Sequence, residues 1–526
     1  MSARQEPIAP GTLMAVAAMG LAVFVIANDF SALSVALPSI QDDLNADVAS
    51  VQWVMSAYAL VFGVFIVTGG RLADVFGRRR IFFTGAAIFA TFSVAGGAAQ
   101  DNGWLVASRA LMGIGGAMMW PAILGMTYAA LGETRAALAG ALVIGVAGVG
   151  NAFGPLLGGL LIHIASWRWI LFLNLPIAAL ACLVTWAKIH PPPAAPHRER
   201  IDYAGILTLS LGLVSLLLVL DQGNDWGFGD PRILLLIGAF VLFMAAFVAV
   251  ERRAGGDALV PGAVLRNREF AGVSLAIVLL SGSSFAAPIY LPVLLRELLG
   301  YGALAAGAAL LPLMAVSAVF SFASGPLDAR FGRKLVTSAG ALAMALGMLL
   351  LAATVGASRY PPLVPGMALL GLGIGLFVSG ATTAGVTALG PARRSLAGGI
   401  LYMFQLVGGS VGLALTTAIF TAATEARVHE DRLAGLLSEG EEQALIGLLA
   451  DVGFAEQIVE RFPGRAERLE SLARDAFASG IETSFTVVAV LGVAGLFIAA
   501  LSVGGRPRRR VAERLGAVRR PGPGSH

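Results

Sequence analysis

Two charged residues interrupt long apolar runs in this chain: Asp29 within "MAVAAMGLAVFVIANDFSALSVALP" and Arg109 within "WLVASRALMGIGGAMMW". A carboxylate is a group that takes up and releases protons. Counting back about nine residues from Pro38, at about 1.5 Å per helical residue, puts Asp29 near the middle of a membrane-crossing helix. A charge at that depth costs about 2.5–3.5 kcal/mol on insertion scales, so it must face other helices or a wet cavity, and function is the default expectation. Burial favours the neutral form of a carboxyl and a nearby cation favours the charged form. Proton occupancy at such a residue can therefore follow whichever environment it faces. The competing reading is a purely structural contact between helices. Arg109 stands about five residues from Trp104, roughly 7–8 Å below the outer surface. A guanidinium there calls for a partner or a hydrated cavity. Asp29 is the only comparably deep acid, so the two are expected to pair; the alternative is that Arg109 snorkels to the headgroups.

Other clusters carry mechanical rather than acid–base chemistry. Gly150, Gly154 and Gly158 recur every four residues and form one helix face that lets another backbone approach, which Gly159 widens. Pro155 removes a donor and permits a bend. Gly70, Asp74, Gly77, Arg78 and Arg79 make a tight, charged turn, in which Asp74 can pair with the arginines or with a neighbouring helix N-terminus, as a latch made in one conformation and broken in another. The turn "GRLADVFGRRR" (70–80) is echoed by "GPLDARFGRK" (325–334), where Asp328 is offset by one and Ala329 replaces the equivalent of Asp74. No second latch is expected. Trp53, Tyr58, Met112, Trp120, Asn151, Tyr290, Phe404 and Gln405 are candidates for lining a cavity, with interfacial or packing roles as the competing reading for the aromatics. The five histidines show no ligand spacing, and the single Cys182 allows neither an intrachain disulfide nor a cysteine cluster. No metal site is expected. Without a strand leading into a Gly-rich phosphate loop, nucleotide-driven chemistry is not expected either.

The elements that hold these residues follow from composition. Of 526 residues, 57% are hydrophobic and 13% charged, and mean hydropathy is +0.81. A soluble chain could not cover that much apolar surface with so few charges, so an integral membrane protein is expected. The net charge of +4 comes from short basic clusters between apolar runs, which read as topology signals rather than a nucleic-acid surface. Fourteen runs can cross about 30 Å of hydrocarbon. They lie near 12–37, 51–70, 81–99, 104–130, 137–162, 169–187, 204–221, 232–250, 270–294, 303–327, 335–355, 362–389, 396–423 and 481–503.

With an even number of spans, both ends share one side. The clusters Arg78 to Arg80, Arg252 and Arg253, Arg333 and Lys334, Arg393 and Arg394, and the basic tail from Arg506 fall on that side, whereas short loops opposite hold only Arg168, Arg232, Arg296 and Arg359. Positive charge stays in the cytoplasm, so both termini are expected there. The first span is too long for a signal-peptide core and is expected to be retained as an anchor. The expected organisation is a six-helix bundle (1–190), a Pro-rich linker (191–203) and two inserted helices (204–250), then a second six-helix bundle (251–503) and a basic tail (504–526). The second bundle carries an outer loop, 424–480, that mixes Leu and Ala with charges at helical spacing and is expected to form short amphipathic helices. Paired six-helix repeats suit alternating access.

The motifs "NDFSALSVALP" (28–38), "GRLADVFGRR" (70–79), "RALMGIGGA" (109–117), "GNAFGPLLGG" (150–159) and "WRWILFLNLPI" (167–177) together resemble the major facilitator superfamily, in its fourteen-span drug:proton antiporter branch of the EmrB/QacA type. The resemblance covers nearly the whole chain. It implies an all-α membrane fold of two six-helix bundles plus two extra central helices. It also implies a role for Asp29 in proton coupling, for Arg109 in proton transfer, for the Gly70 to Arg79 turn in gating, and for "GPLLGG" in export. The chain has Ser31 and Ser34 where Thr and Asn are commoner, Met112 where Gln is usual, and Val75 where a basic residue is frequent. The expected function is proton-coupled efflux of small hydrophobic or cationic compounds across a bacterial inner membrane. The proton gradient replaces any cofactor, and the partners are substrate, protons and lipid, with no nucleic acid. A dedicated exporter of one endogenous metabolite, lipid or antibiotic, and a passive facilitator, remain open alternatives. A membrane enzyme would need clustered Ser/His/Asp or metal ligands within spans, and none is present.

Overall fold

A computed structural model describes residues 9–189, 202–255, 258–357, 359–449, 454–462 and 464–504. The expected linker core and nearly all of the basic tail lie outside the described residues. The first half contains α1 (Pro10–Leu44), α2 (Val48–Phe76), α3 (Arg78–Gly97), α4 (Asn102–Leu131), α5 (Ala136–Ile164) and α6 (Arg168–Lys188). Then come α7 (Tyr203–Trp226) and α8 (Pro231–Ala254). The second half contains α9 (Gly262–Arg266), α10 (Arg268–Glu297), α11 (Ala303–Ala308), α12 (Leu311–Phe331), α13 (Arg333–Val355), α14 (Leu363–Ala388), α15 (Arg394–Leu433), α16 (Glu439–Leu449), α17 (Phe454–Arg461) and α18 (Ala466–Ser502). Among the described residues there is no strand, and fourteen helices are long and apolar enough to cross a membrane.

Side-chain caps fix where several spans begin. Asp47, Asp101, Asp202 and Asp230 accept from the backbone N–H of Ser50, Trp104, Gly205 and Arg232 at 2.7–2.8 Å, and Asn267 accepts from Glu269 and Phe270 at 3.1 Å. Each satisfies donors that a helix start leaves open. The echoed turns end alike, on Gly77 at φ 98° and Gly332 at φ 90°, a region only glycine enters freely.

The helices depart from the expected boundaries in two ways. The tenth span is broken into α11 and α12, because Pro312 at the start of α12 has no N–H to continue the ladder. The outer loop is shorter than 424–480: α15 runs on to Leu433 and α18 already starts at Ala466, since their Leu/Ala pattern continues into water. Between them, among the described residues, only α16 and α17 stand as separate short helices. They close a small capping domain whose core includes Leu445, Phe454, Ile458, Leu469 and Phe477. Glu442 binds His429 at 2.8 Å and Arg432 at 2.6 Å, and Glu441 binds Arg465 at 2.5 Å. The bond to His429, followed by that to Arg432, holds the Glu442 carboxyl below its usual range; the Ser438 backbone and hydroxyl do the same for Glu441, ahead of Arg465.

Helices α1 to α6 form one bundle; α10, α12 to α15 and α18 form the other. The bundles meet along two seams, α2 against α15 and α5 against α12. Helix α7 leans on the first seam, and α8 packs on α7. Only 6% of the most apolar window of α8 is buried, at a mean hydropathy of 3.0, so lipid must cover it on nearly all sides. The ends of the bundles carrying Arg78 and Arg394 are termed the basic face, and the opposite ends the cap face.

Candidate functional site

Asp29 and Arg109 meet inside the first bundle. Arg109 Nη1 lies 2.5 Å from Asp29 Oδ2, and neither side chain is exposed. Arg109 Nε donates to the Val54 carbonyl at 3.1 Å, and the guanidinium carbon sits 4.3 Å from the centre of the Tyr58 ring. Met112, in place of the usual Gln, offers only its sulfur at 3.7 Å. Arg109 Nη2 and the Tyr58 hydroxyl are buried without hydrogen-bond partners among the described residues. The snorkelling alternative is overturned: the guanidinium points to α1, away from the headgroups. Such a pair contributes little net stability, but removing one partner strands a buried charge at about 3–5 kcal/mol.

The second Asp29 oxygen is occupied too. Asn174 Nδ2 on α6 donates to Asp29 Oδ1 at 2.6 Å and to Ser93 Oγ on α3 at 3.0 Å; Ser93 in turn donates to the Leu171 carbonyl at 2.7 Å. All of these residues are buried. Five helices thus join one network around this carboxylate, α4 and α6 touching it directly and α2 and α3 through Arg109 and Asn174. Asn174 lies within the "WRWILFLNLPI" motif, where no role was expected of it individually. Its signal is a lone amide in "ILFLNLPI". Ser93 offers none, since a helical serine usually bonds its own backbone.

The glycine ridge of α5 packs on α1 beside this network. A Cβ on Gly150 would lie 3.0 Å from the Phe24 carbonyl oxygen, one on Gly154 would be 2.8 Å from the Ala32 nitrogen, and one on Gly158 would be 2.5 Å from the Ala32 carbonyl oxygen. Gly159 does not belong to that contact, because a Cβ there would meet nothing within 4 Å. One residue further round the helix, it points elsewhere. Asn151 is exposed.

On the basic face, Asp74 engages both of its expected partner types at once. It accepts from Arg78 at 3.0 Å and from the backbone N–H of Ser395 and Leu396 at 3.3 and 2.8 Å, at the N-terminus of α15. Arg78 extends the tie, donating to Ser395 Oγ at 3.1 Å, the Gly125 carbonyl at 3.1 Å and the Pro391 carbonyl at 2.7 Å. Arg79 is not part of the latch: it turns back to the Trp186 carbonyl on α6 at 3.1 Å. Arg394 adds a bond to the Tyr128 carbonyl at 3.2 Å, and Tyr128 Oη meets Thr383 Oγ1 at 3.0 Å. In the second copy, Asp328 and Arg333 stand 3.8 Å apart within the same half, while Arg333 bonds Thr387. These ties close the bundles together at the basic face.

The aromatic candidates divide. Tyr58 and Trp120 are buried and belong to a packed group in which Tyr402, from the second bundle, sits 5.5 Å from Phe62 and 4.6 Å from Trp120. They plug the middle of the seam, as Met112 fills the interior, and none of the three lines an open surface. Tyr290 bonds Thr417 at 2.7 Å and packs on Phe420, beneath the capping domain. Trp53, Phe404 and Gln405 are partly exposed.

The Major Facilitator Superfamily model matches residues 19–413. The chain is 35% identical over 420 residues to the puromycin resistance protein pur8 of Streptomyces alboniger, covering 77% of this chain and 81% of that protein. It is 31% identical over 513 residues to the tetracenomycin C resistance and export protein of Streptomyces glaucescens, covering 95% and 93%. Among solved structures, the human organic anion transporter MFSD10 (TETRAN) matches with a TM-score of 0.62 at 15% identity, over 93% of this chain and 100% of that one. The proton:xylose symporter XylE matches with a TM-score of 0.59 at 15% identity, over 94% and 96%. At such identity the two structures speak for the fold alone, and they agree with the paired bundles. With its sequence relatives, its fold and its fourteen membrane-length helices in accord, the chain belongs to the major facilitator superfamily and is one of its fourteen-helix transporters.

Proposed function

We propose that the chain is a proton-coupled exporter of small hydrophobic or cationic compounds, set in a bacterial inner membrane with its basic face and both termini in the cytoplasm. The observation that carries this reading is the fully buried Asp29–Arg109 pair at 2.5 Å. Nothing in a passive pore requires an acid there, and burial makes its ionisation sensitive to whatever reaches it. A proton arriving at Asp29 neutralises the partner of Arg109 and weakens a bond that ties α1 to α4. Because α1 also carries the face on which the α5 ridge packs, that change can reach the seams. The latch around Asp74 and Arg78 closes the cytoplasmic end in this arrangement, and release of the proton to the cytoplasm belongs to the arrangement in which it opens. One charge crossing 100 mV supplies about 2.3 kcal/mol, enough for roughly 50-fold accumulation under tight coupling. No cofactor takes part.

The relatives named for puromycin resistance and for tetracenomycin C resistance and export support export rather than uptake. The second name also favours a narrower reading, in which the cargo is a single antibiotic. Inverted vesicles containing the chain, with and without an imposed pH gradient, test both. Gradient-driven uptake of several unrelated dyes supports the broad reading; uptake of one compound class alone supports the narrow one. Transport by Asp29→Asn that still responds fully to the pH gradient would overturn proton coupling and leave a facilitator.

A further inference from the structure

The carboxylate of Asp29 is clamped at both oxygens, and only one clamp is a charge. We propose that Asn174, itself held by Ser93, is a positioning residue that sets how readily Asp29 takes up and gives back its proton. The inference rests on the proton-coupled reading and adds a control element to the same site.

The geometry allows little else. Asn174 Nδ2 reaches Asp29 Oδ1 at 2.6 Å and Ser93 Oγ at 3.0 Å, while the Ser93 hydroxyl hydrogen is committed to the Leu171 carbonyl at 2.7 Å. With its hydrogen spent, Ser93 Oγ can only accept from Asn174, and this fixes which end of the amide points at Asp29. A nitrogen there donates, and a donor favours the carboxylate over the acid. The charged and titratable groups facing Asp29 are Arg109 from α4 and, across the guanidinium, Tyr58 from α2; α3 and α6 present Ser93 and Asn174, and α5 presents its glycine ridge.

A proton from solvent can settle on Oδ2 only as Arg109 moves off. On Oδ1 the new O–H finds an acceptor in Asn174 only if the amide turns over and presents its oxygen. That turn breaks the bond to Ser93. The same turn exchanges the Asn174 N–H bond to Oδ1 for an O–H bond from the new acid to the amide oxygen, and Arg109 keeps its own protons throughout. Asn174 and Ser93 thus couple protonation at Oδ1 to a rearrangement between α3 and α6, two helices that a simple acid–arginine pair would not involve.

Infrared difference spectroscopy on the purified full-length chain, titrated over pH, tests this without a known cargo. Subtracting Asp29→Asn isolates the carboxyl band of Asp29. Asn174→Leu keeps the size of the side chain and removes the donor, so the band is expected to appear at about tenfold lower proton concentration, a midpoint about one pH unit higher. Ser93→Ala is expected to move it the same way by less. Asn174→Gln, which retains an amide, is expected to restore part of the difference. Asn174→Asp sets two carboxyls in one site and is expected to move the midpoint upward further. Midpoints for folded Asn174→Leu and Ser93→Ala that match the unaltered chain would overturn the proposal. If Asn174→Leu does not fold, Ser93→Ala and Asn174→Gln decide it alone. If Asp29→Asn removes no titrating band, the proton-coupled reading fails at its acid, which is a different result from an unmoved midpoint.

Discussion

Gly70 and Gly325 occupy equivalent places in the two halves, and each presses against the first turn of a helix from the opposite half. A Cβ on Gly70 would lie 2.6 Å from the Ser395 carbonyl oxygen of α15; one on Gly325 would lie 3.2 Å from the Ala137 carbonyl oxygen of α5. The inexact symmetry gives a prediction. Gly70→Ala places a methyl on rigid backbone and is expected to hold the basic face apart and reduce transport at least tenfold, whereas Gly325→Ala requires a shift of only tenths of an ångström and is expected to retain more than half. Cross-linking of Tyr128→Cys to Thr383→Cys with a bifunctional thiol reagent long enough to span the lost tyrosine ring, in a Cys182→Ser background, reports the closure.

Removing one member of the central pair leaves the other charge stranded. Asp29→Asn is expected to lower unfolding free energy by about 3–5 kcal/mol, and the double variant Asp29→Asn with Arg109→Met to recover most of that loss. Unfolding in mixed micelles measures both. A double variant no more stable than the single would show that Arg109 is held by Val54 and Tyr58 and not by the acid.

The α5 ridge has a sharp edge. Gly158→Ala sets a methyl against the Ala32 carbonyl and is expected to separate α1 from α5 with loss of more than nine-tenths of transport, while Gly159→Ala meets nothing and is expected to be silent. Transport assays on the two neighbours at matched expression levels provide the comparison.

The latch can be weighed through Asp74. Asp74→Ala removes acceptors for Arg78 and for two N–H groups at the start of α15, and charge-assisted bonds of this kind contribute about 1.5–3 kcal/mol each. The closed arrangement should become the minor one. The same Tyr128→Cys to Thr383→Cys pair is expected to cross-link less than a tenth as fast.

The capping domain has a pH dependence of definite sign. Glu441 and Glu442 are held below the ordinary glutamate value of 4.5, so they add stability above it and lose that contribution as pH falls through their lowered values. Hydrogen exchange across 434–465, corrected for intrinsic rate, is expected to accelerate only below about pH 4.5. His429→Ala, which removes the largest influence on Glu442, lets its folded value rise toward 4.5 and should therefore shrink the acid-induced acceleration.

What could be read from the residues, and what could not, divides along physical lines. Hydrocarbon penalises charge so heavily that two lone ions in apolar runs identified Asp29 and Arg109, and the same penalty outlined fourteen spans. An uncharged amide or hydroxyl carries a smaller penalty and can bond its own helix, so Asn174 and Ser93 left no comparable trace. Helical phase distinguished Gly158 from Gly159 only once the position of α1 was known. Arg78 and Arg79 are identical in type, and only the direction of α3 sends one across the seam and the other to α6. The ends of α15 and α18 were hidden because a helix leaving the membrane has the same pattern as a separate short helix in water.

The α7–α8 hairpin stands beside only one of the two seams. An otherwise two-fold machine therefore has unequal flanks: the α2–α15 flank is screened by a wall of its own chain, while α5 and α12 show Phe153, Leu156, Leu160 and Val319 at the surface. Lipid therefore meets bare apolar side chains on one flank and a palisade of the chain's own helices on the other, so neighbouring molecules in a crowded membrane face two chemically different sides.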